Sequence, residues 1–131
     1  DARFVSYLNE ADLESIEYKT ILNLLLPKFK ITKVLDSYIN VYNIGAFNNP
    51  HTDTSLDNHL SILVFPNTEW NTLWGGETKF YKQQSCYNYT VDYVPGRIIA
   101  FDSRLQHHAL TINHSCPTSR YSLVFKCVID E

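Results

Sequence analysis

Three features of the sequence predict a mainly β domain, a sandwich or barrel with one or two helices packed on an outer face. Aromatic residues make up 14% of the chain, with nine Tyr and seven Phe, and Met is absent; this bias favours strands. Beyond Phe29, short runs of alternating or β-branched and aromatic residues recur between Gly, Pro and Asn turn signals. About eight such segments at regular spacing are the pattern of a closed or double-layered antiparallel sheet. Helical spacing of apolar residues is confined to residues 12–26, at Leu13, Ile16, Ile21, Leu24 and Leu25. The length of 131 residues is that of one domain. Residues 1–36 are expected to be mostly helical support and residues 37–131 the β-barrel core.

Taken in order, one amphipathic helix or two short ones end at or just before Pro27, which cannot continue the hydrogen-bond ladder. Residues 37–44 alternate as a strand, and residues 45–50, with Gly, two Asn and Pro, read as a loop. Residues 59–65 form the next strand, closed by Pro66. Trp74-Gly-Gly is a turn that leads into a short strand at 77–81. Residues 88–94 follow as another, with the segment from Tyr81 to Tyr89 read as a solvated hairpin. Pro95-Gly96 turns the chain into residues 97–101; residues 108–112 continue the sheet and residues 119–129 end it.

The net charge of −3 comes without a basic stripe, so nucleic acid is not an expected partner. The longest apolar stretch, residues 21–26, is interrupted by Asn23 and stopped by Pro27. It falls far short of the roughly 18 residues of a membrane helix, and no membrane partner is expected. Cys86, Cys116 and Cys127 are odd in number and lack metal-type spacing. They read as reduced thiols in a cytoplasmic compartment, and no signal peptide is legible.

The chemistry-bearing candidates begin with His51-Thr-Asp53. On extended backbone, residues i and i+2 point to one side, so an imidazole and a carboxylate converge from one element. A third ligand from a distant strand would complete a two-His, one-carboxylate set, the arrangement that suits non-haem iron(II) and leaves positions open. His107 and His108 are both placed to supply it. Neighbours on a strand face opposite ways, so only one can do so, and spacing does not choose between them; the other is expected to be half-exposed. Arg120-Tyr-Ser122 puts a guanidinium and a hydroxyl on one face of the last strand. A planar guanidinium fork matches a carboxylate. By itself, an ordinary edge-strand Arg on the surface explains Arg120 equally well. His59 and His114 carry no further signal.

Five segments in order carry a resemblance. They are Tyr42-Asn-Ile-Gly45, His51-Thr-Asp53, Trp74-Gly-Gly-Glu-Thr-Lys-Phe80, the run from Pro95 to His107 that ends Phe-Asp-Ser-Arg-Leu-Gln-His, and the run from Arg120 to Lys126. Over roughly two thirds of its length the chain resembles the prolyl-4-hydroxylase-like branch of the iron(II)/2-oxoglutarate oxygenases. The resemblance implies a double-stranded β-helix, the jelly-roll or cupin-like barrel. It implies Fe(II) on His51, Asp53 and His107, so it selects His107 over His108. It implies 2-oxoglutarate as co-substrate on Arg120, with Ser122 and Tyr42 assisting, and O2 as the oxidant. No catalytic residue beyond the metal ligands is implied, and Gly75 and Gly76 match a turn that brings backbone close to the pocket. Because Asp53 is present, the implied outcome is hydroxylation or demethylation rather than halogenation. The implied activity is that of a dioxygenase hydroxylating a prolyl or other side chain of a protein or peptide. A free amino acid or small metabolite is the other substrate class, and a catalytically silent metal-binding barrel the other function. Arg120 stands where many prolyl hydroxylases have Lys, and Phe65 near a position where they can have Tyr.

Overall fold

The computed structural model describes residues 3–7, 23, 27–82 and 88–130. Among the described residues eight strands, β1 (Arg3–Tyr7), β2 (Ile31–Tyr42), β3 (His59–Val64), β4 (Thr78–Tyr81), β5 (Asn88–Val91), β6 (Ile98–Asp102), β7 (Gln106–Ala109) and β8 (Arg120–Ile129), form two sheets. The larger runs β1-β2-β8-β3-β6 and the smaller β5-β4-β7. Every pairing is antiparallel. The architecture is the double-stranded β-helix that the resemblance implies.

The helical reading of residues 12–26 falls, apart from the helical Asn23, outside the described residues. Residues 27–29 are helical and Lys30, at φ 53°, turns the chain into β2. The helical backbone thus includes Pro27 and runs two residues beyond it. Two elements within residues 1–36 are strands and not helix. β1 pairs with the end of β2 from Arg3 opposite Tyr42 to Tyr7 opposite Tyr38, and β2 starts at Ile31. The early part of β2 escapes a period-two reading because its register slips against β8 between Ile31 and Lys33 and again between Val34 and Asp36. Each slip inserts an unpaired residue and reverses the facing of the residues after it. Within residues 81–89, only 83–87 lie outside the described part, and Tyr81 and Asn88–Val91 already belong to β4 and β5.

In the large sheet, β3 and the middle of β8 are buried on both faces. Leu60, Ile62, Val64, Phe125 and Cys127 form one cluster, backed by Phe29, Ile31 and Val34. Leu63, Phe65, Phe80, Tyr93, Phe101 and Val124 form the other, between the sheets. Phe80 of the small sheet meets Phe101 of the large one edge-on at 5.0 Å between ring centres. Among the described residues no helix is long and apolar enough to cross a membrane.

A glycine pair joins the layers beside the inner cluster. Gly75, at φ 80°, pairs with Ile112, and an added Cβ would lie 2.6 Å from the Thr111 carbonyl oxygen. Gly75→Ala is expected to lose about 2 kcal/mol or more of stability, measurable as a lower urea midpoint at unchanged slope.

Candidate metal centre

His51 and His107 are brought together by their own backbones. The His51 N–H donates to the His107 carbonyl at 3.0 Å, and the His107 N–H donates back to the His51 carbonyl at 2.9 Å. Their rings sit 4.6 Å apart. The register of β4 against β7 decides between the two neighbouring histidines. His107 lies opposite Phe80 on the inner face, and His108 lies opposite Lys79 on the outer face. His108 is nonetheless buried and not half-exposed, because its ring bridges the Tyr81 hydroxyl (2.8 Å) and the Asn48 carbonyl (2.7 Å). His59 opens β3 with its Nδ1 on the Asp57 carbonyl (2.7 Å), and His114 is exposed.

The Asp53 N–H donates to the Ser103 carbonyl (2.9 Å), which turns the carboxylate toward both imidazoles. Nε2 of His51 lies 3.6 Å and Nε2 of His107 lies 3.7 Å from Asp53 Oδ1. The three ligand atoms lie within 4.8 Å of one another. Each Nδ1 faces a backbone carbonyl, Asn49 for His51 (2.9 Å) and Leu105 for His107 (2.8 Å). A carbonyl only accepts, so each Nδ1 carries the proton and each neutral ring presents the Nε2 lone pair to the cluster. The Phe-Asp-Ser-Arg turn is set by Arg104, which pairs with Asp102 (2.8 Å) and Asp57 (2.5 Å) at the surface.

Burial alone would raise the Asp53 pKa, but the Lys126 ammonium at 2.5 Å and the Ser61 hydroxyl at 2.5 Å together hold it below its ordinary value. Burial pushes His107 down, toward the neutral form that binds metal. Both shifts act in one direction on the metal-free fold. A depressed carboxylate stabilises above its unfolded pKa of 3.8 and loses that contribution as pH falls through the folded value. A depressed histidine costs stability once the unfolded chain protonates, below 6.5. Metal-free protein should therefore lose thermal stability progressively from about pH 6.5 downward, as a melting series in chelator-treated buffer would record.

A cavity of about 530 Å³ connects this cluster to Arg120, Ser122 and Tyr42. Arg120 is not a surface side chain; it is 1% exposed. Its Nε donates to the Gly76 carbonyl (2.8 Å) and its Nη2 to Thr78 Oγ1 (3.2 Å). The rings of Tyr93, Phe65 and Tyr42 surround the guanidinium at 5.0, 5.2 and 5.7 Å. Burial lowers its pKa to about 10, and among the described residues no carboxylate pairs with it. The Tyr93 hydroxyl, held between Asn67 Oδ1 and the Tyr121 carbonyl at 2.6 Å each, is pushed up to about 12 by burial and stays neutral. Asn48 donates to the Tyr42 hydroxyl (3.2 Å). Gly76 lies in the left-handed region at φ 76°, and an added Cβ would crowd Trp70, Ile112 and Arg120 Cδ at 3.0, 3.1 and 3.2 Å.

The sequence did not single out Ser61, Ser103 or Lys126. Ser61 donates its one hydroxyl proton to Asp53 Oδ2, so Ser103, 2.7 Å away, donates to Ser61. Lys126 shares strand parity with Arg120 and Ser122, which was the available signal; its partner comes from another element and could not be read from β8.

A two-histidine, one-carboxylate cluster facing the interior of a double-stranded β-helix is the fold and donor set of a mononuclear non-haem metalloenzyme. Residues 37–125 match the 2OG-Fe(II) oxygenase superfamily, and the chain belongs to that family, whose members use Fe(II), 2-oxoglutarate and O2. Among solved structures, it is similar to a Pseudomonas putida prolyl-4-hydroxylase, with a TM-score of 0.76 and 16% identity over 98% of this chain and 72% of that one. A Trichoplax adhaerens prolyl hydroxylase, solved with a hypoxia inducible factor oxygen degradation domain peptide fragment, gives 0.73 and 18% over 96% of this chain and 62% of that one. A Burkholderia pseudomallei oxidoreductase of the 2OG-Fe(II) oxygenase family gives 0.67 and 17% over 88% of this chain and 53% of that one. At these identities the likeness is one of fold, and the chain spans less than two thirds of the last two proteins. A comparison with curated protein sequences returns no match.

Proposed function

We propose that this chain is an iron(II)- and 2-oxoglutarate-dependent dioxygenase that hydroxylates a prolyl or other side chain of a protein or peptide. The observation that carries the reading is Arg120, a buried guanidinium without a carboxylate partner among the described residues, in the same cavity as the three-ligand cluster. A buried charge left on neutral acceptors is costly, and a dianionic co-substrate bridging Arg120 and the metal would offset that cost.

In this reading, His51, Asp53 and His107 hold the metal. The donor set fits iron(II), since both imidazoles present Nε2 and the carboxylate presents Oδ1 to one point. Arg120 anchors the distal carboxylate with the N–H donors not used by Gly76 and Thr78, and Ser122 and Tyr42 line its path. The bound metal would supply oxidative decarboxylation of 2-oxoglutarate by O2 to succinate and carbon dioxide, coupled to hydroxylation of a substrate C–H bond. The chain's own task is placement: the aromatic wall of Phe65, Tyr93 and Tyr42 excludes water around Arg120 and keeps its electrostatic pull strong. Support for a peptide substrate comes from the cavity mouth, where Leu35 and Leu56 are exposed, and from the peptide-bound Trichoplax structure.

The test is an anaerobic visible spectrum after addition of iron(II) and 2-oxoglutarate. A metal-to-ligand charge-transfer band is expected in the wild type, absent from His107→Ala and weakened in Arg120→Ala. No band in folded wild-type protein would leave a barrel of this fold without the chemistry. If the band is present, succinate release stimulated by free amino acids but by no peptide would move the substrate to the small-metabolite class.

A further inference from the structure

The two oxygens of Asp53 are treated differently by the fold. Oδ1 faces Nε2 of His51 and of His107. Oδ2 is engaged by the Ser61 hydroxyl and by Lys126 Nζ, each at 2.5 Å. Lys126 reaches this point from β8, three strand repeats beyond Arg120, with its side chain 21% exposed and its ammonium 5.9 Å from the centre of the Tyr38 ring. Asp36 stands opposite it in the β2–β8 register and lines the same cavity.

Resting on the metal-site reading above, we infer that Lys126 is a positioning residue for the metal centre: its ammonium clamps Oδ2 so that Asp53 offers Oδ1 alone, and it serves as the carboxylate's counter-charge until a metal arrives. A carboxylate with one oxygen held by two donors binds an ion through the other. That keeps a coordination position from being filled by a second Asp53 oxygen. The same ammonium repels a dication at the neighbouring position, because like charges a few ångströms apart in a partly buried site interact strongly. Lys126 therefore keeps the metal-free pocket assembled at the cost of metal affinity.

The experiment titrates Mn(II) by calorimetry and records the visible spectrum of the Co(II) form for wild type, Lys126→Met, Lys126→Arg and His107→Ala. Lys126→Met should bind Mn(II) at least about tenfold more tightly. Its Co(II) bands should change in intensity as Asp53 gains a second contact, and its metal-free form should melt at a lower temperature. Lys126→Arg, which keeps a cation on Oδ2, should restore wild-type affinity and spectrum. A role in packing alone would lower stability without tightening the metal. If the Met variant does not fold, Lys126→Gln keeps a donor toward Oδ2 without the charge and should still bind Mn(II) more tightly. Equal or weaker Mn(II) binding in a folded charge-deleted variant would overturn the inference and leave the metal site standing. Wild-type protein that binds no Mn(II), or binds it as well in His107→Ala, would overturn the metal site and this inference together.

Discussion

Asp53→Ala protein should release no succinate above background and lose metal affinity by more than the roughly 10–100-fold that removal of an outer partner costs. The expectation follows from geometry. Oδ1 of Asp53 is the one anionic donor within reach of both imidazoles among the described residues, and two neutral nitrogens alone hold a dication weakly. The fold should survive, because the backbone N–H of Asp53, which ties its loop to Ser103, is unchanged. Lys126, left without its partner, can reach solvent from its partly exposed position. Circular dichroism and a melting curve would verify this before metal and succinate are measured. Wild-type succinate production in a folded Asp53→Ala variant would remove Asp53 from the centre.

Arg120→Leu should separate co-substrate binding from metal binding. Removing one partner of a buried charge pair costs about 2–5 kcal/mol, so the KM for 2-oxoglutarate should rise by at least about 30-fold. Mn(II) affinity should stay near that of the wild type, since Arg120 touches none of the three ligands. Stability should move the other way. The guanidinium is buried against Gly76, Thr78 and three aromatic rings with no described carboxylate. Removing a buried charge that has no ion-pair partner also removes its desolvation cost, so the metal-free melting temperature should hold or rise. Unchanged 2-oxoglutarate kinetics in a folded variant would place the co-substrate elsewhere.

Much of the fold was legible because strands β3, β6 and β8 are bounded by clear turn residues and rich in β-branched and aromatic side chains. So was the convergence of His51 with Asp53, and of Arg120 with Ser122, because strand parity is local. Spacing could not separate His107 from His108; the pairing of β7 with β4 does so, and only the family resemblance anticipated it. The start of β2 was hidden by its two register slips. The burial of Arg120 was equally invisible, because it depends on Phe65, Tyr93 and Tyr42, which arrive from three separate parts of the chain. Ser61, Ser103 and Lys126 meet Asp53 through long-range contacts that no local pattern encodes.

The reciprocal backbone pair between His51 and His107 has a consequence for the chain as a polymer. The two residues bracket β3 to β6 and the start of β7, so one ion on both rings is a removable cross-link that closes this long segment into a loop. The entropy of such closure grows only slowly with loop length, yet the linkage is present only while the ion is bound. Stabilisation by metal should then climb by about 1.4 kcal/mol for each tenfold rise in free ion above its dissociation constant. Hydrogen exchange should register it first at the amides of His51, Asp53 and His107, where the segment is pinned to itself.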